Sequence, residues 1–111
     1  MTIFALSTGQ GQSGLAVIRI SGPETKIVIE MLTKKSLPTP RMANLSKLYN
    51  INTSSLIDEG IVLWFPGPNS YTGEDVADLL VHGSSGVITE IHDNLLLSLI
   101  HLCRCRRCRP G

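Results

Sequence analysis

Apolar and polar positions follow two different periods along this chain, and the switches between them predict its elements. Residues 2–7 and 15–20 are short, apolar and rich in β-formers, so each reads as a strand. Between them lies a loop of Gly, Gln, Ser and Thr, residues 8–14. Ser21-Gly22-Pro23-Glu24 is a helix start, with Ser21 or Gly22 to cap and Pro23 near the first helical position. Ile27, Val28, Met31 and Leu32 then give one apolar helical face through about Thr33. Pro38 and Pro40 mark residues 36–41 as a linker. Residues 45–51 and 60–65 read as strands joined by a polar turn at 52–58, and 75–82 as another strand. Residues 87–102 follow as a buried helix, with Val87, Ile88, Ile91, Leu95 and Leu99 on its apolar side. Five strands and two helices in this order predict an α+β fold, one mixed sheet with helices on a face.

Composition narrows the class. The chain has 111 residues, 42% hydrophobic and 17% charged, with formal net charge +1. That suits one globular domain, here 1–100, and gives no support to a surface built to coat nucleic acid. No apolar run approaches the roughly 18–20 residues that span a bilayer, so no membrane association is expected. The first residues lack the basic region of a secretory signal and the Arg richness of a transit peptide, so no targeting segment is expected.

Residues 101–111 break the pattern, holding Cys103, Cys105, Cys108 and four arginines. Three readings stay open: a metal set completed by His101, a basic arm for phosphates, or an unstructured end. The spacing is not that of a standard zinc pair, and no metal is assigned. The segment is expected to lie outside the domain, to be disordered, and to add nothing to the fold.

Chemistry concentrates in the stretch from Gly60 to Asp75. The apolar run Ile61-Val62-Leu63-Trp64-Phe65 stops at Pro66-Gly67-Pro68 and opens into Asn69-Ser70-Tyr71-Thr72-Gly73-Glu74-Asp75. A loop so rich in polar groups between two strands is a candidate for ligand contact, and Trp64 is expected in the core. Gly9, Gly11 and Gly14 satisfy the G-x-G-x-x-G spacing, yet a strand-like run follows where a dinucleotide site needs a helix. Leu15-Ala16 stands where a P-loop needs Lys and Ser/Thr, so this chain should not hydrolyse GTP. His82, His92 and His101 are scattered and form no catalytic set, and no catalytic residue is assigned. Arg19 and Asp78 each interrupt an apolar strand. They could form a cross-strand pair, or grip a ligand carrying donors and carboxylates.

The blocks Thr2-Ile3-Phe4-Ala5-Leu6-Ser7, Gly9-Gln10-Gly11, Gly14 to Gly22, Leu63 to Asp75 and Val81-His82-Gly83 resemble the N-terminal domain of the MnmE/TrmE family of tRNA-modifying GTPases, in details most like its eukaryotic mitochondrial members. The resemblance covers Thr2 to about Leu99. It implies a fold like the tetrahydrofolate-binding domain of aminomethyltransferases. It also implies a homodimer and a bound 5-formyl or 5,10-methylene tetrahydrofolate. By position, Arg19 matches the family's folate-contacting arginine, and Asp78 a folate-contacting glutamate one methylene longer. GTP, Mg and K belong to a G domain that these residues do not contain. The family works with an FAD-containing partner of the MnmG/GidA type on C5 of the wobble uridine of tRNA. A mitochondrial location is implied, otherwise a cytoplasmic one. The family's Pro-Gly-Glu-Phe-like and Gly-Lys-Leu-like segments do not occur here, so the chain is expected to be a shortened form.

Overall fold

The computed structural model describes residues 2–6, 14–68 and 73–105. In chain order these form β1 (Ile3–Leu6), β2 (Leu15–Ser21), α1 (Thr25–Thr33), β3 (Asn44–Tyr49), β4 (Leu56–Phe65), β5 (Val76–His82) and α2 (Ser85–Cys105). The five strands make one sheet in the order β1-β2-β5-β4-β3. The expected α+β architecture of five strands and two helices is therefore present. The sheet is not mixed, however, because all four strand pairings are antiparallel. The reason is the path of the chain. The β2–α1–β3 connection crosses to the far edge of the sheet, and two successive hairpins bring β5 back beside β2.

Side-chain alternation divides the sheet into two faces. Ala16, Ile18 and Ile20 of β2 point the same way as Ala77, Leu79 and Val81 of β5 and as Val62 and Trp64 of β4. Together with Leu48 they close a core against Val28, Ile29 and Leu32 of α1 and Ile91 and Leu95 of α2. Trp64 sits there at 6% exposure. Each fully buried aliphatic side chain contributes about 1.5–3 kcal/mol, so both helices are held to this face by packing.

The helix termini show why two predicted boundaries moved. Neither Ser21 nor Gly22 caps α1; Glu24 is the N-cap residue and makes no side-chain cap hydrogen bond. Its backbone N–H donates instead to the Thr2 hydroxyl at 2.9 Å, and that hydroxyl donates to the Glu24 carboxylate. The cap thus comes from a residue far away in sequence. α2 starts after Ser84, whose hydroxyl accepts the Val87 N–H at 3.3 Å, and it runs on to Cys105 rather than ending at 102. The rest of the Cys/Arg segment, 106–111, lies outside the described residues.

β4 begins at Leu56, four residues before the predicted start at Gly60. Asp58 and Glu59 look like turn residues, yet each has a cross-strand partner, Leu48 and Lys47. The turn is confined to 50–55, where the Asn50 carboxamide oxygen accepts the N–H groups of Asn52 and Thr53. The buried Asn94 of α2 accepts the Ile51 N–H at 2.8 Å and so ties this turn to the helix. Gly60 is required where β4 passes β5, since a Cβ there would collide with the Leu80 carbonyl oxygen.

Candidate functional site

The second face of the sheet carries no helix and gathers the residues whose orientation the sequence left open. Period-two alternation places Arg19 on this face of β2 and Asp78 on this face of β5, and the register sets them opposite each other. Arg19 Nε donates to Asp78 Oδ1 at 2.8 Å and Nη2 donates to Oδ2 at 3.0 Å. This is a two-pronged, charge-assisted pair, the strongest ordinary geometry for these groups. The Asp78 side chain is 9% exposed and that of Arg19 35%, so the guanidinium is the part that faces solvent. Of the two readings of these residues, the cross-strand pair is thus present. A carboxylate has about four lone-pair sites, so two hydrogen bonds from Arg19 leave acceptor capacity for another donor.

The surroundings of the pair are largely apolar on both sides. Along the row containing the pair, Ala5 lies beyond Arg19 and Leu63 beyond Asp78. The next row is Val17, Leu80, Ile61 and Leu45, apolar across four strands. On the opposite side of the pair the row is Ile3, Ser21, Val76 and Phe65, with Ser21 its one polar member. The Arg41 guanidinium lies over the Phe65 ring, 5.9 Å from its centroid.

The block from Trp64 to Asp75 divides between these functions. Trp64 enters the core and Phe65 the open face. Asp75 closes the loop, its carboxylate accepting the Gly67 N–H at 3.0 Å. Its carbonyl accepts the Gly22 N–H at 2.9 Å and the Thr25 hydroxyl at 3.2 Å, tying the loop to the start of α1. Asn69, Ser70, Tyr71 and Thr72 lie outside the described residues, as do Gly9 and Gly11. The run after Gly14 is the strand β2, so the glycine pattern does not open a helix as a dinucleotide site would.

Among the described side chains, His82 and His92 have specific neighbours. His92 of α2 meets the Phe4 ring edge-on, with centroids 5.0 Å apart. His82 pairs with Asp58: the carboxylate accepts the His82 backbone N–H at 2.9 Å and approaches ring Nδ1 at 2.8 Å. Burial alone would raise the Asp58 pKa. The hydrogen bonds from His82 and from the Glu59 backbone outweigh it and hold this carboxyl below its ordinary range. Nothing in the sequence pointed to this pair, nor to Arg41 with Phe65, because each joins residues more than twenty positions apart in the chain. Among the described residues no three His, Cys, Asp or Glu side chains are placed to hold a metal ion.

The profile of the family described as GTP-binding protein TrmE N-terminus matches residues 2–111. The chain belongs to this family. The match continues past Leu99 through the Cys/Arg segment. Full relatives extend the comparison. The tRNA modification GTPase MnmE of Pelagibacter ubique is 55% identical over 111 residues, 100% of this chain and 24% of that protein. The mitochondrial 5-taurinomethyluridine tRNA synthase subunit GTPB3 of Danio rerio is 48% identical over 90 residues, 81% of this chain and 18% of its own length. The mitochondrial tRNA modification GTPase gtpbp3 of Dictyostelium discoideum is 47% identical over 95 residues, 80% of this chain and 19% of its own. The likeness is thus shared by bacterial and mitochondrial TrmE-type proteins, and the chain spans about a fifth to a quarter of their length.

Proposed function

We propose that this TrmE N-terminal domain binds a reduced folate, 5-formyl or 5,10-methylene tetrahydrofolate, at the Arg19–Asp78 pair, and that it dimerises through the open sheet face. The observation that carries the reading is the pair itself: a carboxylate with acceptor capacity left over, held by a half-exposed guanidinium on a face that no helix covers. A pterin presents a planar edge of N–H donors, which a carboxylate grips with two parallel hydrogen bonds. The apolar row Val17, Leu80, Ile61 and Leu45 beside it suits a second copy of the same face, which would screen the ligand from water. Asp78 stands where the resemblance implies a glutamate, so the ligand must approach about one methylene closer to β5.

The remaining roles belong to the whole protein of which such a domain is part. With GTP, Mg and K in a G domain and an FAD-containing partner of the MnmG/GidA type, it would modify C5 of the wobble uridine of tRNA. The mitochondrial names of two relatives support a mitochondrial setting. Calorimetric titration of the chain with 5-formyltetrahydrofolate tests the ligand, and sedimentation velocity tests the dimer. Saturable binding and a two-fold mass support the reading. A dimer that takes up no folate would reduce the domain to a structural dimerisation module.

A further inference from the structure

The outer side of α2 changes character halfway along. Ile91, Asn94, Leu95 and Ser98 line the inner side of the helix and are buried. Helical periodicity places Thr89, Asp93, Leu96, Leu97 and Ile100 on the opposite side. Its first half is polar. Its second half exposes Leu96, Leu97 and Ile100, at 45%, 41% and 50%. Ile100 follows Leu96 by one helical step of four and Leu97 by one of three, so the three side chains share a patch. The patch is separate from the open sheet face, to which the exposed Ile3, Leu15 and Leu45 belong.

We propose that this patch seats the segment that follows α2 in an intact TrmE-type protein, which returns along it as an amphipathic helix. In the Pelagibacter MnmE the matched stretch is 24% of the length, and the family model describes the N-terminus of such proteins. Most of the polypeptide of that relative therefore comes after α2. The helix runs on to Cys105, little more than one turn beyond Ile100. Antiparallel helices are joined by short connections of about 2–8 residues, so a returning helix meets the second half of α2 first. The apolar residues stand where that return begins, and Asp93 stands where it has moved on toward the polar half. A basic residue of the returning helix would face Asp93. Size decides between a tethered and a free partner. Three half-exposed side chains offer far less than the roughly 800 Å² per side of a stable interface between separate chains. A tethered segment needs less area, because linkage gives it an effective concentration on the order of millimolar.

The test compares this chain with a version extended by the segment that follows the matched stretch in the Pelagibacter MnmE. Each is made as the parent and as the double variant Leu97→Glu/Ile100→Glu, and amide hydrogen exchange is followed through residues 96–100. The extension is expected to slow exchange there by about tenfold or more. In the extended chain the double variant should return exchange to the rate of the unextended parent. In the unextended chain it should change neither the melting temperature nor the sedimentation coefficient, since glutamate suits an exposed helix position. Intact Pelagibacter MnmE with glutamates at the two matching positions gives a second readout, and its melting temperature should fall. Exchange that the extension leaves unchanged, or slows equally in the double variant, would overturn the proposal, as would an unaltered melting temperature of the intact protein. A change in the sedimentation of the unextended chain on Leu97→Glu/Ile100→Glu would overturn it too, and assign the patch to a second copy.

Discussion

Arg19 and Asp78, 59 residues apart in the chain, face each other in register across β2 and β5 and share two hydrogen bonds of 2.8 and 3.0 Å. The contact sits in the central strands, on the side of the sheet away from both helices. Its removal should therefore disturb the open face and leave the core packed.

Asp78→Ala is expected to cost about 1–3 kcal/mol, the penalty of stripping a partner from a charged hydrogen-bonding group. The half-exposed Arg19 can turn to water and moderates that loss. Urea unfolding followed by Trp64 emission measures it. An unchanged midpoint would mean that the pair contributes nothing to the fold.

The acid limb of stability should depend on Asp58. Its pKa is lowered in the folded chain from an ordinary value of 3.8, because hydrogen bonds from His82 and the Glu59 backbone outweigh burial. A depressed folded pKa gives stability that is present above the unfolded value. It is lost as pH falls below 3.8 toward the folded value. Asp58→Asn should flatten the pH dependence of the unfolding midpoint in that acidic window. An identical acid limb in both proteins would contradict the assignment.

Gly60→Ala should destabilise the sheet by about 1–3 kcal/mol, as overpacking does. The added Cβ meets the Leu80 carbonyl oxygen of the neighbouring strand, which has no side-chain freedom to yield. Thermal unfolding checks this, and a melting temperature equal to the parent's would show that β4 can move away.

Asn94→Leu should loosen the 50–55 turn more than the core. The substitution leaves the Ile51 N–H without its acceptor, at a cost of about 1–3 kcal/mol. Hydrogen exchange at the Ile51 amide should speed up well before global unfolding. Unchanged protection there would remove Asn94 from its anchoring role.

Much of the fold could be read from the chain because its determinants are local. The alternation of Ala16, Ile18 and Ile20 gave β2, and the spacing of Ile91, Leu95 and Leu99 gave α2. What escaped depends on partners distant in sequence. The N-terminal extension of β4 through Asp58 and Glu59 is held by β3 and by His82, and the α1 cap is supplied by Thr2. The sense of the sheet depended on which strand returned beside β2. At the site, the sequence supplied Arg19 and Asp78 as residues out of place in apolar strands, and the register then joined them. Arg41 gave no such signal, because a charged residue in a Pro-flanked linker is ordinary until its ring partner is known.

The central claim is that a reduced folate sits on the Arg19–Asp78 pair, and a crystal structure of the chain grown with saturating 5-formyltetrahydrofolate tests it most directly. The account predicts pterin density on the open sheet face, with its donor edge within hydrogen-bond distance of the Asp78 carboxylate and Arg19 alongside. Clear density for the ligand elsewhere, or an empty face at saturating ligand, would contradict it.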